Sequence, residues 1–439
     1  ANGWTNITPD EHGDWLKQRD SSFEKFIQMG NKKENSAQLF NGYSLGVATN
    51  RDSWVFNHSQ QKLRNNVKKL IDTYSKNLKE VLNENISMEN VNKFLIQDLS
   101  CISWTESIKK DLINKKEISF IEDNLAVGMY RPFTKQNLYF NSSLIHRRYQ
   151  VPKIFPDSQL KNLAIMIKGN WKDNGQFALM VNNIPTSQPD GGAQCFPLYL
   201  YEAVTEEKNV GSGDLFDESL DLTVTETKYE RKDGISDEGL QHFQTAYPNE
   251  QISKEDIFYY TYGLLHSEEY RNRYADNLTK ELPRIPCVKK AEDFWAFSKA
   301  GRDLAHWHLN YETVDKYPAT LDTGSTAYNS LSAEDFYVEK MKFAKKDDKS
   351  TVVYNKRITF KGIPLEAYDY VVNGKPALEW VMERQGVSTH KESGIVNDAN
   401  DWANETMNNA AYPLELFLRV ITVSLETMKI VRSLPKLDI

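Results

Sequence analysis

The residues best suited to chemistry are basic and planar rather than nucleophilic. Arg147 and Arg148 stand beside His146, Tyr149 and Lys153, in a loop between two β-like runs. Guanidinium forks so placed can take phosphate oxygens or offer two donors to a guanine edge, although a solvated strand face fits the composition equally well. Asn50-Arg51, at the polar centre of "YSLGVATNRDSWVF", has the same potential, but Asn-Arg-Asp also makes an ordinary turn and that reading is preferred. Two patterns resemble metal sites. His306, His308 and Glu312 offer imidazole and carboxylate ligands, yet helical positions two apart point about 200° from one another. His308 also falls on an apolar stripe, so a core or interface histidine is expected. Asp217 or Asp221 upstream of Glu226-Thr-Lys228 imitates sites where carboxylates hold Mg²⁺ and a lysine positions water. In a stretch this acidic the triplet arises readily by chance, and a solvated loop is expected. No catalytic or metal-binding residue is assigned.

Several cofactor chemistries are excluded by pattern. The chain has no GxxxxGK[ST] loop to cradle phosphates, no GxGxxG after a strand and no GxSxG elbow. The Asn/Asp-Pro-Pro-aromatic tetrapeptide of amino-methyltransferases is absent as well.

At 439 residues the chain exceeds one ordinary domain and predicts two or three subdomains with their own cores. Its three cysteines, Cys101, Cys195 and Cys287, form no metal or disulfide spacing, which suits a reducing cytoplasm. No run approaches the roughly eighteen apolar residues of a membrane span, and no signal peptide is visible, so a soluble protein is expected. The net charge of −7 argues against a generic nucleic-acid binder, but its distribution does not. Residues 128–172 carry eight Lys and Arg against one acid, whereas 202–256 carry fifteen acids against five bases. A second basic window, 335–361, has eight bases against four acids around a "STVVYNKRITF" hairpin.

The elements that must position these charges follow from periodicity. "DWLKQRDSSFEKFIQMG" spaces Trp15, Phe23, Phe26 and Ile27 at roughly helical intervals, and "YSLGVATNRDSWVF" reads as two short strands about a turn. Leu63, Val67, Leu70, Ile71, Tyr74 and Leu78 predict an amphipathic helix over 60–82 with a basic outer face. "LAIMIKG" and "FALMV" are short apolar runs bounded by Gly and Asn, hence buried strands, and "NVGSGDLFDES" reads as a mobile loop. Residues 256–286 hold six aromatic side chains. Ser253 and Asp256 have capping-box spacing before one helix, and a second is expected from Ser267 to Pro283. "LPRIP" must be extended because each proline restricts its predecessor. The aromatics fall on helical stripes, so this segment is read as scaffold. Helices are also predicted over "AEDFWAFSKAGRDLAHWHL" and along Leu414–Met428, the latter opened by Pro413.

Taken together, "ITPDEHGDWLKQRD", "GVATNRDSWVFN", "YRPFTKQNLYFN", "CFPLYLY", "IFYYTYGLLHSEEYRNRYADNLTKELPRIP", "FWAFSKAGRDLAHWHLNYE", "LEWVMERQGVSTHKESGIVNDANDW" and "LRVITVSLETMKIVRSLP" run in order over nearly the whole chain. In them the sequence resembles the C-terminal specificity region of Type ISP single-polypeptide restriction-modification enzymes. That resemblance implies a chain following an adenine N6 methyltransferase core in a polypeptide that also carries a nuclease and a helicase-like ATPase. S-adenosylmethionine, ATP and Mg²⁺ would belong to those parts, with none in this chain. It also implies recognition of an asymmetric double-stranded DNA site, so that the neighbouring domain can methylate a flipped adenine.

The expectation is an α+β protein: residues 1–127 a linker and helical region, 128–256 a β-rich target-recognition region, and 257–439 a helical scaffold with a basic hairpin and a C-terminal helix. DNA contacts are assigned to Asn50, Arg51, Arg147, Arg148, Lys153, Lys161, Lys168, Lys172, Lys345, Lys346, Lys356 and Arg357. A monomer is expected, with duplex DNA and the methyltransferase domain as partners. The alternative is a scaffold that couples methyltransferase to motor without reading bases.

Overall fold

The structure, a computed structural model, describes residues 7–31, 37–157, 159–169, 177–187, 192–209 and 223–439. It is a mixed α+β protein with two hydrophobic cores on either side of one small sheet. That sheet has the order Ser44–Leu45, Ala193–Pro197, Ala164–Lys168, Ala178–Val181, all antiparallel. Successive side chains of a strand point to opposite faces. Here Ala164 and Met166 enter the first core while Ile165 and Ile167 enter the second, and Leu179 and Met180 divide likewise. Burial on both faces is why these runs are continuously apolar rather than alternating.

The first core lies beneath a four-stranded sheet of Phe56–Asn57, Thr134–Tyr139, Leu125–Arg131 and Ile184–Pro185, with the last pair parallel. Helix Gln60–Glu80 packs on it through the predicted stripe, and Ser59 caps its start by accepting the Lys62 N–H. A further sheet, Thr320–Asp322, Thr359–Lys361, Asp348–Val353, Lys342–Lys345, contains the expected basic hairpin. It rests on the C-terminal helix Tyr412–Arg432, where Phe360 stacks on Phe417 at 4.7 Å.

The second core is built by the tyrosine-rich segment. Helix Lys254–Leu264 begins at a formed Ser253/Asp256 capping box and crosses helix Ala291–Leu309. Tyr260 and Tyr270 are fully buried and donate to the carbonyls of Pro286 and Arg284, each at 2.7 Å. A buried phenol is stabilised when its hydroxyl finds an acceptor. These bonds hold the "LPRIP" segment extended, and its Arg284–Ile285 pairs antiparallel with Ile27–Gln28.

Three local readings are corrected. The helix expected through Phe23 and Ile27 is a single 3-10 turn, Ser21–Lys25, followed by a strand, and Trp15 is 62% exposed. Strand pairing with Arg284–Ile285 and the packing of Phe23 and Phe26 on Tyr274 outweigh the weak helical spacing. The two strands of "YSLGVATNRDSWVF" are Ser44–Leu45 and Phe56–Asn57, in different sheets, with a one-turn helix Asp52–Val55 between them. The helix expected from Ser267 breaks at Tyr274 into Glu268–Arg273 and Ala275–Leu278. The acidic region contributes a long antiparallel pair, Tyr199–Asn209 with Thr223–Asp233, so Glu226-Thr-Lys228 lies in a strand and not in the expected loop, while "NVGSGDLFDES" beyond Asn209 lies outside the described residues. Among the described residues no helix is long and apolar enough to cross a membrane.

Candidate nucleic-acid interface

Backbone pairing brings the two candidate turns together. Ala48 and Arg147 exchange N–H···O bonds of 2.9 Å, and Val47 N–H donates to Pro185 O at 2.9 Å. Asn50 is exposed at the tip, in the left-handed region at φ 53°. Beside it opens a cleft of about 530 Å³, walled by residues 47–54 on one side and by the hairpin Val387–Thr389/Val396–Asp398 on the other. Its lining is largely short hydrogen-bonding side chains, including Ser53, Ser103, Ser187, Ser388 and Thr389.

The hairpin is pinned by Asn397. Its Oδ1 accepts from the His58 backbone N–H at 2.9 Å and from His58 Nδ1 at 2.8 Å, and its Nδ2 donates to Gln136 Oε1 at 3.1 Å. Burial lowers the His58 pKa to about 4, so the ring is neutral at pH 7 and carries its proton on Nδ1. A second cleft of about 520 Å³ abuts the first and shares Tyr130, Ser388 and Asn397 with it. Lys340, Lys342, Lys375 and Arg384 line this second cleft. Glu383 pairs with both Lys375 and Arg384, over the Trp380 ring. At the junction the Arg131 guanidinium lies 4.1 Å from the centroid of Tyr130 and 3.6 Å from Asp52.

The eleven assigned contacts that the structure describes do not share one surface. Asn50 and Arg51 line the first cleft, and Arg147, exposed, is joined to its wall through the backbone pairing with Ala48. Arg51 is 3% exposed, its Nη2 donates to Thr105 Oγ1, and burial lowers its pKa to about 10. Arg148 is half-buried with its guanidinium 5.5 Å from the Phe140 ring centroid. Lys153 and Lys161 are exposed beside the long acidic pair, where the Lys161 carbonyl accepts from Tyr201 OH at 3.0 Å. Lys168 is buried at the end of its strand, and Lys172 lies outside the described residues. Lys345 and Lys346 sit at one end of strand Asp348–Val353, and Lys356 and Arg357 at the other. Six residues of strand span about 20 Å, so these pairs cannot meet the same phosphate. Arg357 is in addition ion-paired with Asp335 at 3.0 Å.

The metal patterns do not converge among the described residues. His308 is held between Tyr262 OH at 2.5 Å and Thr427 Oγ1 at 3.0 Å, while Glu312 pairs with Lys135 and Tyr412 OH, each at 2.6 Å. Asp217, Asp221 and the Glu226 side chain lie outside the described residues. Sequence reasoning passed over Arg131, Lys340, Lys342 and the hairpin residues Ser388, Thr389 and Asn397. The available signal was "VSTHKESGIVN", a run of short polar side chains between β-branched residues that ends in a glycine turn.

Comparison with known proteins places this architecture. Residues 38–416 match the Type ISP C-terminal specificity domain, and the chain belongs to that family. Among solved structures it is similar to the ATP-dependent Type ISP restriction-modification enzyme LlaBIII bound to DNA, at 36% identity and a TM-score of 0.81. That match covers 99% of this chain and 26% of LlaBIII. A nuclease-deletion mutant of the Type ISP enzyme LlaGI, in complex with a DNA substrate mimic, matches at 33% identity and a TM-score of 0.81, over 99% of this chain and 31% of that one. A DrdV–DNA complex matches at 28% identity and a TM-score of 0.77, over 98% and 40%. The chain therefore spans between about a quarter and two-fifths of these relatives. No curated protein matches it.

Proposed function

We propose that this chain is the sequence-reading module of a Type ISP restriction-modification enzyme, binding duplex DNA so that domains outside it methylate an adenine at N6 or engage restriction. The observation that carries this reading is the pair of abutting clefts, which share Tyr130, Ser388 and Asn397 and are lined by hydrogen-bonding side chains, with Lys340 and Lys342 on the wall of the second and Arg147 paired through its backbone with Ala48 on the wall of the first. Phosphate contacts would set the register and short polar side chains would meet base edges. Membership of the specificity-domain family and likeness to three enzymes solved with DNA support it. The chain would act as a monomer beside a methyltransferase domain of the same polypeptide. S-adenosylmethionine, ATP and Mg²⁺ would be bound by that larger enzyme. This chain has no phosphate loop or methyltransferase tetrapeptide to fit them.

A mobility-shift titration of the chain with duplex DNA tests the proposal. Binding should weaken steeply with salt, each neutralised phosphate contributing about 0.9 to the log–log slope. Arg147→Ala should flatten the slope by about that amount, since this side chain is exposed and its backbone is fixed by Ala48. Absence of any shift at low salt would favour the coupling scaffold instead.

A further inference from the structure

The hairpin of Val387–Thr389 and Val396–Asp398 is a two-stranded sheet that no further strand joins among the described residues. Its root is fixed: the Val387 N–H donates to Glu339 O at 2.9 Å, the Ala399 N–H to Gly386 O at 3.0 Å and Asn57 Nδ2 to Val396 O at 3.0 Å, beside the bonds between Asn397 and His58. Its turn is fixed too. The His390 N–H donates to Ile395 O at 2.9 Å and the Gly394 N–H to His390 O at 2.8 Å, with Gly394 in the left-handed region at φ 68°. On this rigid frame Ser388, Thr389, His390, Glu392 and Val396 are all exposed.

His390 presents a defined group. Its Nδ1 receives the Ser393 N–H at 3.3 Å and lies 2.9 Å from Ser393 Oγ, which in turn accepts the Ile395 N–H. A ring nitrogen that accepts carries no hydrogen, so the imidazole hydrogen is on Nε2, which forms no hydrogen bond among the described residues. Thr389 and Glu392 line the first cleft with it, and the hydroxyl of one and the carboxylate of the other have no hydrogen-bond partner among the described residues.

Charge separates what the surfaces can take. Glu392 and Asp52 on the wall of the first cleft repel a phosphate, and Arg51 on that wall is buried against Thr105. A base edge suits such a wall, since a carboxylate accepts from the cytosine amino group and an N–H meets a purine N7 or a thymine O4. Exposed lysines flank it instead: Lys340 and Lys342 in the second cleft at the root of the hairpin, and Lys69 in a hollow of about 270 Å³ beside its turn. A two-stranded ribbon fits the major groove, about 12 Å wide, with phosphates on either side. We propose, resting on the DNA-binding reading above, that the hairpin Val387–Asp398 is a base-reading ribbon and that His390, donating from Nε2, is a specificity-determining residue at its tip.

The test uses the full chain. Duplexes that bind are selected from a random pool, and affinity is then measured for the selected site and for duplexes changed at one base pair at a time. Wild type should lose about 5- to 100-fold at each base pair it reads. His390→Asn keeps an acceptor for the Ser393 N–H and removes the Nε2 donor, whereas His390→Gln places an amide donor near Nε2. In H390N the loss should shrink to within about twofold at one base pair and persist at the others, with the salt slope unchanged, and H390Q should keep most of the wild-type preference. The reverse pattern, H390N like wild type and H390Q altered, makes His390 a turn clamp only and overturns the inference. A slope lowered by about 0.9 with equal loss on every duplex makes it a phosphate contact and overturns it as well. Wild-type binding without any sequence preference leaves the DNA reading standing and overturns the ribbon. If wild type binds no duplex at low salt, the DNA reading falls and the ribbon with it.

Discussion

The frame that orients the interface depends on two glycines at one helix crossing. A Cβ on Gly301 would stand 1.9 Å from the Tyr259 carbonyl oxygen, and one on Gly263 would stand 2.2 Å from the Phe297 carbonyl oxygen. Carbon–oxygen contacts settle near about 3.3 Å, so Gly301→Ala must part helices Lys254–Leu264 and Ala291–Leu309 by more than about 1 Å. The obstacle is backbone, which no rotamer change relieves. Parting the helices also loosens the Tyr260–Phe294 stack, now 4.7 Å between centroids, and the Tyr262 hydroxyl that receives the Met180 N–H at 2.8 Å. Overpacking costs about 1–3 kcal/mol where neighbours can adjust, and the rigid case lies at or above the top of that range. Alanine returns about 1 kcal/mol of helix propensity. A net loss of about 2 kcal/mol remains, or roughly 2 °C in melting temperature for 439 residues unfolding together at about 2.1 cal/mol/K per residue. Thermal denaturation followed by circular dichroism reads it. Because both methyls ask for the same separation, the G263A/G301A double variant should lose clearly less than the sum of the singles. A G301A chain that melts within about 1 °C of wild type would refute the close approach of the two backbones.

Asn397→Ala removes the acceptor of two His58 donors, one of them on a fully buried ring. Urea denaturation should show a loss of about 1–3 kcal/mol, and a change under about 0.5 kcal/mol would detach the hairpin from His58. Acid should destabilise the fold before its carboxylates titrate. Burial lowers the pKa of His58 to about 4 and of His266 to about 3, from 6.5, and depresses His308 as well. Below pH 6.5 the unfolded chain takes up these protons and the folded chain does not. Stability present at neutral pH is therefore lost as the pH falls toward 4, by up to about 1.4 kcal/mol per pH unit for each histidine. A melting temperature flat between pH 7 and 5 would contradict the burial of all three.

Much of the scaffold was legible because burial imposes a period. Helices Gln60–Glu80, Ala291–Leu309 and Tyr412–Arg432 repeat apolar residues at three and four, and the strands Ala164–Lys168 and Ala178–Val181 are apolar except for the terminal Lys168. The tyrosine stripes of 256–286 likewise announced a core. Where tertiary pairing outweighs local preference the reading failed, as at Phe23–Ile27, whose conformation depends on residues more than two hundred positions away.

The candidate site was legible only in fragments. A charge window pointed to Arg147 and a polar turn, more weakly, to Asn50-Arg51, but a basic composition does not say which lysines face together. Lys168 turned inward and the two ends of the basic hairpin point to separate regions.

The order of residue types alone determined which segments could bury a face, and hence the α+β class and the absence of nucleotide-binding loops, since both depend on spacing over a few residues. Only the tertiary structure decided that Ala48 meets Arg147, that one sheet serves two cores, and that Asn397 binds His58. Those outcomes are contests among distant surfaces for the same buried area and the same hydrogen-bond partners. Their energies are set by complementarity across the fold, which no local stretch of chain contains.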